Sequence, residues 1–570
     1  MAARTWFGRA LLIAVVSATA CTPAAAQEGV VQPGVAAKAV ASEPKRLIAA
    51  ILGVADVMFI RINPQTTASG ADALEQLLSS GLTIKDGQGR LVPQLAENVP
   101  SLENGLWKLF PDGRMETTWT IRQGAVWHDG QPFTAHDLVF TAQVAQDRDL
   151  AIFQHVAFES IASLEAVDSR TFTLKWSAPF IDADSMFSRD LALPMPRHLL
   201  ESPLLTNRDG FRDLPFWSED FIGSGPYRER AFARGSSVSL SANDSYVLGR
   251  PKIDEIEVRF IPDQNALIAN VLAGAVEATL GRGISTELAL QVRDQWREGR
   301  VVFGPSGNWL TVFPQFLDPD PPIVGDVRFR RALMHAIDRD QMAESLQYGL
   351  APALHGFLNP EDRMYPAIAS RIVRYDFDPR AATTLLSELG YAAGGDGALR
   401  DSGGRKLGVQ IRGFPTDSQQ KAMFAVADFW QRLGLDVEPV VISEQRQRDS
   451  EYLATFPAFV VTRAPNDIAR LRTYHSNQAP VPTTNFRGSN RSRYQNAEFD
   501  GLVERLFVTI PLTQRTAILG DIIHLMTDRL IAMGLTADTT VFLIGNRLEN
   551  VGAAFSSANQ TWNAHEWNLT

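Results

Sequence analysis

Two histidines eight residues apart, His128 and His136, are the first side chains that could do chemistry, because paired imidazoles hold zinc or copper. That spacing, carried across a turn, matches no metal-ligand motif, so no metal is expected. Asp129 stands beside Gly130 and is read as a turn former rather than an acid catalyst. His198, after Pro196-Arg197, is read as a satisfied structural histidine. Gly223-Ser224-Gly225-Pro226-Tyr227 is glycine-rich, which allows positive φ and close backbone approach and suits a tight crossover between lobes, yet no lysine or helix start follows it, so it is no phosphate loop. No GxGxxG, Ser-His-Asp or paired-carboxylate motif is recognisable, and no cofactor is implied.

The elements that would carry these residues alternate between strand and helix, which predicts α/β lobes. Arg46 to Ile60 reads as a buried strand and Ala71 to Leu78 as a helix ended by Gly81. Lys108 to Arg114 holds a Pro-Asp-Gly turn, as a hairpin would. Thr117, Trp119 and Ile121 alternate as in a half-buried strand. After the Asp129-Gly130 turn, Thr134 precedes a helical run in which Leu138, Val139 and Ala142 share a face. Two strands are expected from Ile161 to Trp176, another over Ile256 to Phe260, and a helix capped by Asp263. Asp326, Asp338 and Asp378-Pro379 mark three further helix starts, with Gly349 and Gly390 as two of the ends. Leu407 to Ile411 reads as a strand leading to a helix that ends near Trp430, and Gln514 to Asp528 as an amphipathic helix.

At 570 residues the chain is too long for one core and should hold two or three lobes. Apolar residues make up 45% and charged residues 21%, the balance of a globular protein. The net charge of −10, with no basic run, argues against nucleic acid or an anionic membrane surface as partner. Residues 1–26 read as a targeting segment, with Arg4 and Arg9 ahead of an apolar stretch too short to span a bilayer. Removing those two arginines takes the charge from −10 to −12. Cys21, the only cysteine, follows Ala18-Thr19-Ala20 as a lipidated cysteine would, although Ala18 stands where leucine is usual. Ala24-Ala25-Ala26 offers a second cleavage site that would remove the cysteine. Both readings place the mature protein outside the cytoplasmic membrane, with or without a lipid anchor at Cys21.

Several stretches together resemble a known family. Arg122, Gly124, Trp127, His128, Asp129, Gly130, Pro132, Phe133, Ala135, Asp137 and Phe140 follow, without a gap, a signature of the extracytoplasmic solute-binding proteins of peptide-type ABC importers, family 5. Gly223 to Tyr227 resembles the same family's G-T/S-G-P-Y, and Val327 to Asp338 its V-R-x-A-L-x-x-A-I-D. The resemblance runs in order over about residues 46–550. It implies a two-lobed periplasmic-binding-protein fold of the large, cluster C type, with a β-rich domain inserted in the first lobe. The implied boundaries are signal 1–26, linker 27–45, first lobe 46–79 and 216–303, insertion 80–215, second lobe 304–534 and a return to the first lobe over 535–570.

The function implied is capture of a peptide or similar small solute between lobes that close by hinge motion, followed by delivery to an inner-membrane ABC permease. A monomer is expected. Micromolar capture needs about 8 kcal/mol, which a charge-assisted clamp on the ligand termini can supply. Family peptide binders use an aspartate for the amine and often an arginine for the carboxylate. The resemblance puts Arg412 at or beside the carboxylate contact and brings Asp467 forward as amine anchor; helix N-cap is the other reading of Asp467. Trp309, beside Asn308, is read either as a cleft aromatic or as core, and Arg463 either as a ligand contact or as a solvated arginine. The family's G-W-x-x-D-x-x-D-P is altered here to Val461-Thr462-Arg463-Ala464-Pro465-Asn466-Asp467, which leaves non-peptide solutes (an oligosaccharide, an opine, a nickel chelate) as alternatives. An extracytoplasmic glycosidase is the rival class and would need two carboxylates roughly 5 to 10 Å apart.

Overall fold

Two long strands, Gly299–Pro314 and Met533–Gly545, run antiparallel through the middle of a ten-stranded mixed sheet and hold its two halves together. The computed structural model describes residues 43–63, 68–150, 152, 155–552 and 559–570. The expected signal segment, Cys21 and the linker up to residue 42 lie outside the described residues. Among the described residues no helix is long and apolar enough to cross a membrane.

On one side of the long pair lie Ala278–Leu280, Arg46–Leu52, Glu255–Ile261, Ser237–Ala242 and Tyr227–Ala233; on the other lie Phe459–Pro465, Gly408–Gly413 and Asp436–Val441. Each half pairs strands in parallel where a helix intervenes, as Arg46–Leu52 does with Glu255–Ile261 and Gly408–Gly413 with Asp436–Val441. This is the two-lobed α/β fold. The second lobe has a core of its own in which Leu310, Val312, Phe329, Leu333, Val426, Trp430 and Val461 are buried. Each such side chain contributes about 1.5–3 kcal/mol through burial, so strands and helices of that lobe are mutually dependent.

A separate four-stranded antiparallel sheet is built from Trp107–Leu109, Met115–Thr120, Thr171–Trp176 and Ile161–Ala166, in that spatial order. Its alternation is that of a half-buried sheet: Met115, Thr117 and Trp119 point inward. The helix Ala135–Gln146 follows, and its start is fixed from both sides. Asp137 Oδ2 accepts from the Thr134 backbone N–H at 2.8 Å, while Oδ1 accepts from the Arg197 N–H at 2.9 Å and docks the helix Arg197–Thr206.

Three local expectations change. The first strand stops at Leu52 instead of running to Ile60, because Gly53 takes a φ of +113° that breaks the pleat. Gly223 and Gly225 serve close approach and not a positive φ: a Cβ at either would lie within 2.4 Å of the Leu78 carbonyl group, at the end of helix Ala71–Leu78. Nor does this segment cross between lobes, since it leads into the outermost strand of the first half, Tyr227–Ala233, and the long strands make the crossing.

Candidate functional site

The register of the central pair slips between Pro305 and Trp309, leaving Ser306, Gly307 and Asn308 as a bulge where the two halves of the sheet meet. Gly307 has a φ of +73°, which favours glycine. Side chains from both lobes converge on this bulge. Ser306 Oγ donates to Asp538 Oδ2 at 2.8 Å, and Arg463 Nε donates to the same oxygen at 2.6 Å. Arg282 Nη1 donates to the Ser306 carbonyl at 2.8 Å, and the Asn308 N–H donates to Ser306 Oγ at 3.1 Å. A lone carboxylate in the otherwise neutral run Gly534 to Ile544, Asp538 pairs with Arg463 at little exposure, 11% for its side chain against 39% for the arginine.

Over the bulge opens a cavity of about 590 Å³. Its first wall carries Asp72 from helix Ala71–Leu78, Arg282, and Glu287 from helix Thr286–Gln295; its second carries Asp417 and Lys421 from helix Asp417–Arg432. Asn308, Arg463, Asp538, Thr539 and Thr540 complete it. Each carboxylate already has a cation: Asp72 binds Arg189 at 2.9 Å, and Lys421 binds Asp417 at 2.9 Å and Glu287 at 3.3 Å. Desolvation lowers the pKa of the Arg282 guanidinium, an effect opposed by Asp72 and Asp538 and reinforced by Arg189 and Arg463.

Asn308 and Arg463, expected from the sequence, both line this cavity, and the structure brings them together at the bulge. The other three expected residues lie elsewhere. Arg412 donates from Nε to Gln410 Oε1 at 2.7 Å and from Nη1 to the Tyr452 carbonyl at 3.0 Å, with its guanidinium stacked 4.1 Å over the Tyr452 ring; burial lowers its pKa. Trp309 is 1% exposed and packs edge-on against Phe357 with ring centroids 5.4 Å apart, which is core. Asp467 caps the short helical turn Ile468–Tyr474, accepting from the Arg470 N–H at 3.3 Å, and its carboxylate stays half exposed. Its charge also reaches Lys85, at the end of the short strand Thr83–Lys85. Burial depresses the Lys85 ammonium, but Asp190, 2.7 Å away, Asp182 and Asp467 more than restore it, leaving its pKa raised.

Sequence reasoning missed Asp72, Arg282, Glu287, Lys421 and Asp538. Two of these leave a trace in the sequence: Asp538 interrupts an uncharged strand, and Arg282 stands between Gly281 and Gly283 directly after an apolar strand. Asp72, Glu287 and Lys421 sit on ordinary helix surfaces, where charge carries no signal.

The signature stretch has a structural task. His128 accepts from the Gly223 N–H at Nδ1 and pairs through Nε2 with the Gly225 carbonyl, both at 3.1 Å. It ties the turn to the glycine segment. His198 Nε2 lies 2.6 Å from Asp129 Oδ2 at the surface.

Residues 90–478 match the family model described as bacterial extracellular solute-binding proteins, family 5, middle. The chain belongs to that family. Among curated relatives, a putative ABC transporter peptide-binding protein of Brucella ovis is 29% identical over 296 residues, 52% of this chain and 53% of that protein, so the chain spans about half of that relative's length. The oligopeptide-binding protein AppA of Bacillus subtilis is 23% identical over 463 residues, 77% of each chain. The structure of AppA in complex with a nonapeptide superposes with a TM-score of 0.67 at 20% identity, covering 93% of this chain and 100% of that one. NikZ of Campylobacter jejuni, in complex with Ni(L-His), gives 0.70 at 21% identity, covering 92% of this chain and 99% of that one. These neighbours share the two-lobed fold of family 5.

Proposed function

We propose that this family 5 protein is the substrate-binding component of an ABC importer, which captures a peptide or similar small solute between its lobes and delivers it to a permease in the inner membrane. The observation that carries the reading is the cavity of about 590 Å³ at the junction of the long strands, with charged side chains from both lobes on its walls. That volume lies within the roughly 300–1,000 Å³ typical of small-molecule sites. Because the lobes are joined at a bulge, a small change there swings the walls together, which is hinge closure. The cavity carboxylates are each bound to a cation, an arrangement suited to electrostatic binding rather than to proton transfer. Support for peptide comes from relatives named as peptide-binding and oligopeptide-binding proteins. Asn308 and Arg463 are the proposed ligand contacts among the residues singled out in the sequence. We place the mature protein outside the cytoplasmic membrane as a monomer, held by a lipid on Cys21 or released by cleavage after Ala26.

Native mass spectrometry of the protein purified from its own periplasm tests this reading. A ladder of short-peptide masses released from the folded protein is expected. A single sugar, opine or metal-chelate mass would keep the transport role and overturn the peptide.

A further inference from the structure

The helix Arg339–Gln347 closes on a tyrosine although a glycine stands one position later. Left-handed backbone at a helix end usually falls to glycine, and Gly349 has it, at φ +69°; Tyr348 adopts it first, at φ +53° and ψ +32°. The Ala343 carbonyl accepts from both N–H groups, from that of Gly349 at 3.2 Å, so the closing hydrogen bonds depend on this backbone. In the left-handed region a β-carbon crowds the following carbonyl oxygen, and among side-chain-bearing residues asparagine and aspartate adopt it most readily. Tyrosine is strained there. Nor does the ring recover that loss by packing, since Tyr348 is 42% exposed and its side chain has no hydrogen-bond or ring partner among the described residues.

A second observation gives the strain a place to act. Ser345, Leu346, Gln347 and Tyr348 line the second-lobe wall of the cavity beside Lys421, and Tyr348 is the one aromatic among the described residues that line it. Ile60 and Ile284 line it from the first lobe. The charges at the mouth are taken up by one another, Lys421 with Glu287 and Asp417, so what this wall still offers a solute is an open ring. Strained backbone of this kind concentrates at ligand clamps, where the surrounding structure holds it.

We propose that Tyr348 is a specificity-determining contact, its ring stacking on a flat face of the bound solute while Ile60 and Ile284 cover that solute from the first lobe. The assignment rests on the solute-capture reading above and names what the cavity selects, a planar group. A phenol ring supplies a large, rigid contact area while only two side-chain torsions are immobilised, and its face accepts another ring in offset or edge-on geometry. A peptide offers two such planes, an aromatic side chain and the peptide bond itself. The helix end is thereby explained: the turn keeps a residue that weakens it because that residue binds.

The test is retention of tri- to pentapeptides by the full chain at graded concentrations, read by native mass spectrometry. One library carries an aromatic or imidazole side chain in every peptide, and a second carries none. Tyr348→Phe keeps the ring and the strain, Tyr348→Ala keeps the strain without the ring, and Tyr348→Asn removes the ring and relieves the strain. Tyr348→Phe should retain peptide within about threefold of the wild type, and both Tyr348→Ala and Tyr348→Asn should weaken retention about tenfold, the loss of one stacked ring. Without solute, Tyr348→Asn should melt no lower than the wild type and above Tyr348→Ala, which separates lost binding from lost folding. A loss confined to the first library upholds the contact with a ring as the stacked group; an equal loss in both upholds it with the amide plane. Retention by Tyr348→Ala and Tyr348→Asn at the wild-type level upholds peptide capture and overturns the contact, as does a Tyr348→Phe protein as weak as Tyr348→Ala. A Tyr348→Asn protein that melts below the wild type overturns the link between strain and binding. A wild type that retains neither library overturns peptide capture and the contact with it.

Discussion

Lys421 of the second lobe reaches Glu287 of the first across the mouth of the cleft, Nζ to Oε2 3.3 Å, while also holding Asp417 of its own helix. Both partners of the bridge are about half exposed, so the pair adds only about 0–1 kcal/mol to folding. Its place across the mouth gives it a different lever, the lifetime of the closed state. Lys421→Met should leave the unliganded stability within about 0.5 kcal/mol and raise the rate of solute release roughly 2–5-fold. The increase should fade as salt screens the wild-type bridge. Stopped-flow displacement of bound solute at two ionic strengths decides it, and an unchanged release rate sinks the latch.

His128 links pH to stability through the glycine segment. Burial, helped by the nearby Arg228 charge, pushes its pKa down from 6.5 to about 4, and an imidazolium would also aim a second N–H at the Gly223 N–H, which Nδ1 now accepts. The folded state therefore resists a proton that the unfolded chain binds. Between pH 6.5 and 4 the unfolded state carries more protons, so this contribution is complete above about pH 6.5 and is lost as pH falls toward 4, on the order of 3 kcal/mol in all. Glu75, pushed up to about 7 by burial, runs in the opposite direction. The comparison is therefore between wild type and His128→Asn. The variant should be less stable at pH 7, and the gap should narrow steadily to pH 4 in urea denaturation. A gap independent of pH would falsify the link.

The fold was largely legible because it rests on local signals that tertiary packing does not override. Helix Ala71–Leu78 and the caps Asp263, Asp326, Asp338 and Asp378 stand where turn and capping chemistry put them. The site was less so, for a physical reason. Its floor is assembled from residues 24 to 232 positions apart, Arg282 with Ser306 and Asp538 with Arg463 and Ser306, and it depends on one register slip in the strand Gly299–Pro314. Trp309 shows the difficulty. Aromatic content is the same in a core and in a cleft, and only the neighbours distinguish them.

Those neighbours make Trp309 the hinge's packing anchor. It follows the bulge directly, packs on Phe357, and leaves so little room across the strand pair that a Cβ on Gly534 would come within 2.9 Å of its ring. A side chain so enclosed stabilises the junction by burial and by filling volume, and its loss leaves a cavity that the two rigid strands cannot collapse. Trp309→Ala should cost about 3–5 kcal/mol, and Gly534→Ala about 1–3 kcal/mol by overpacking against the same ring. Trp309→Phe keeps most of the volume and loses no hydrogen bond to the described residues, among which the indole N–H has no partner. It should fold with a smaller loss and bind the native solute within about twofold of the wild type, because a core residue acts on the ligand only through the hinge. Urea denaturation and solute titration on Trp309→Phe separate the two roles: near-normal stability with binding reduced a hundredfold would return Trp309 to the cleft.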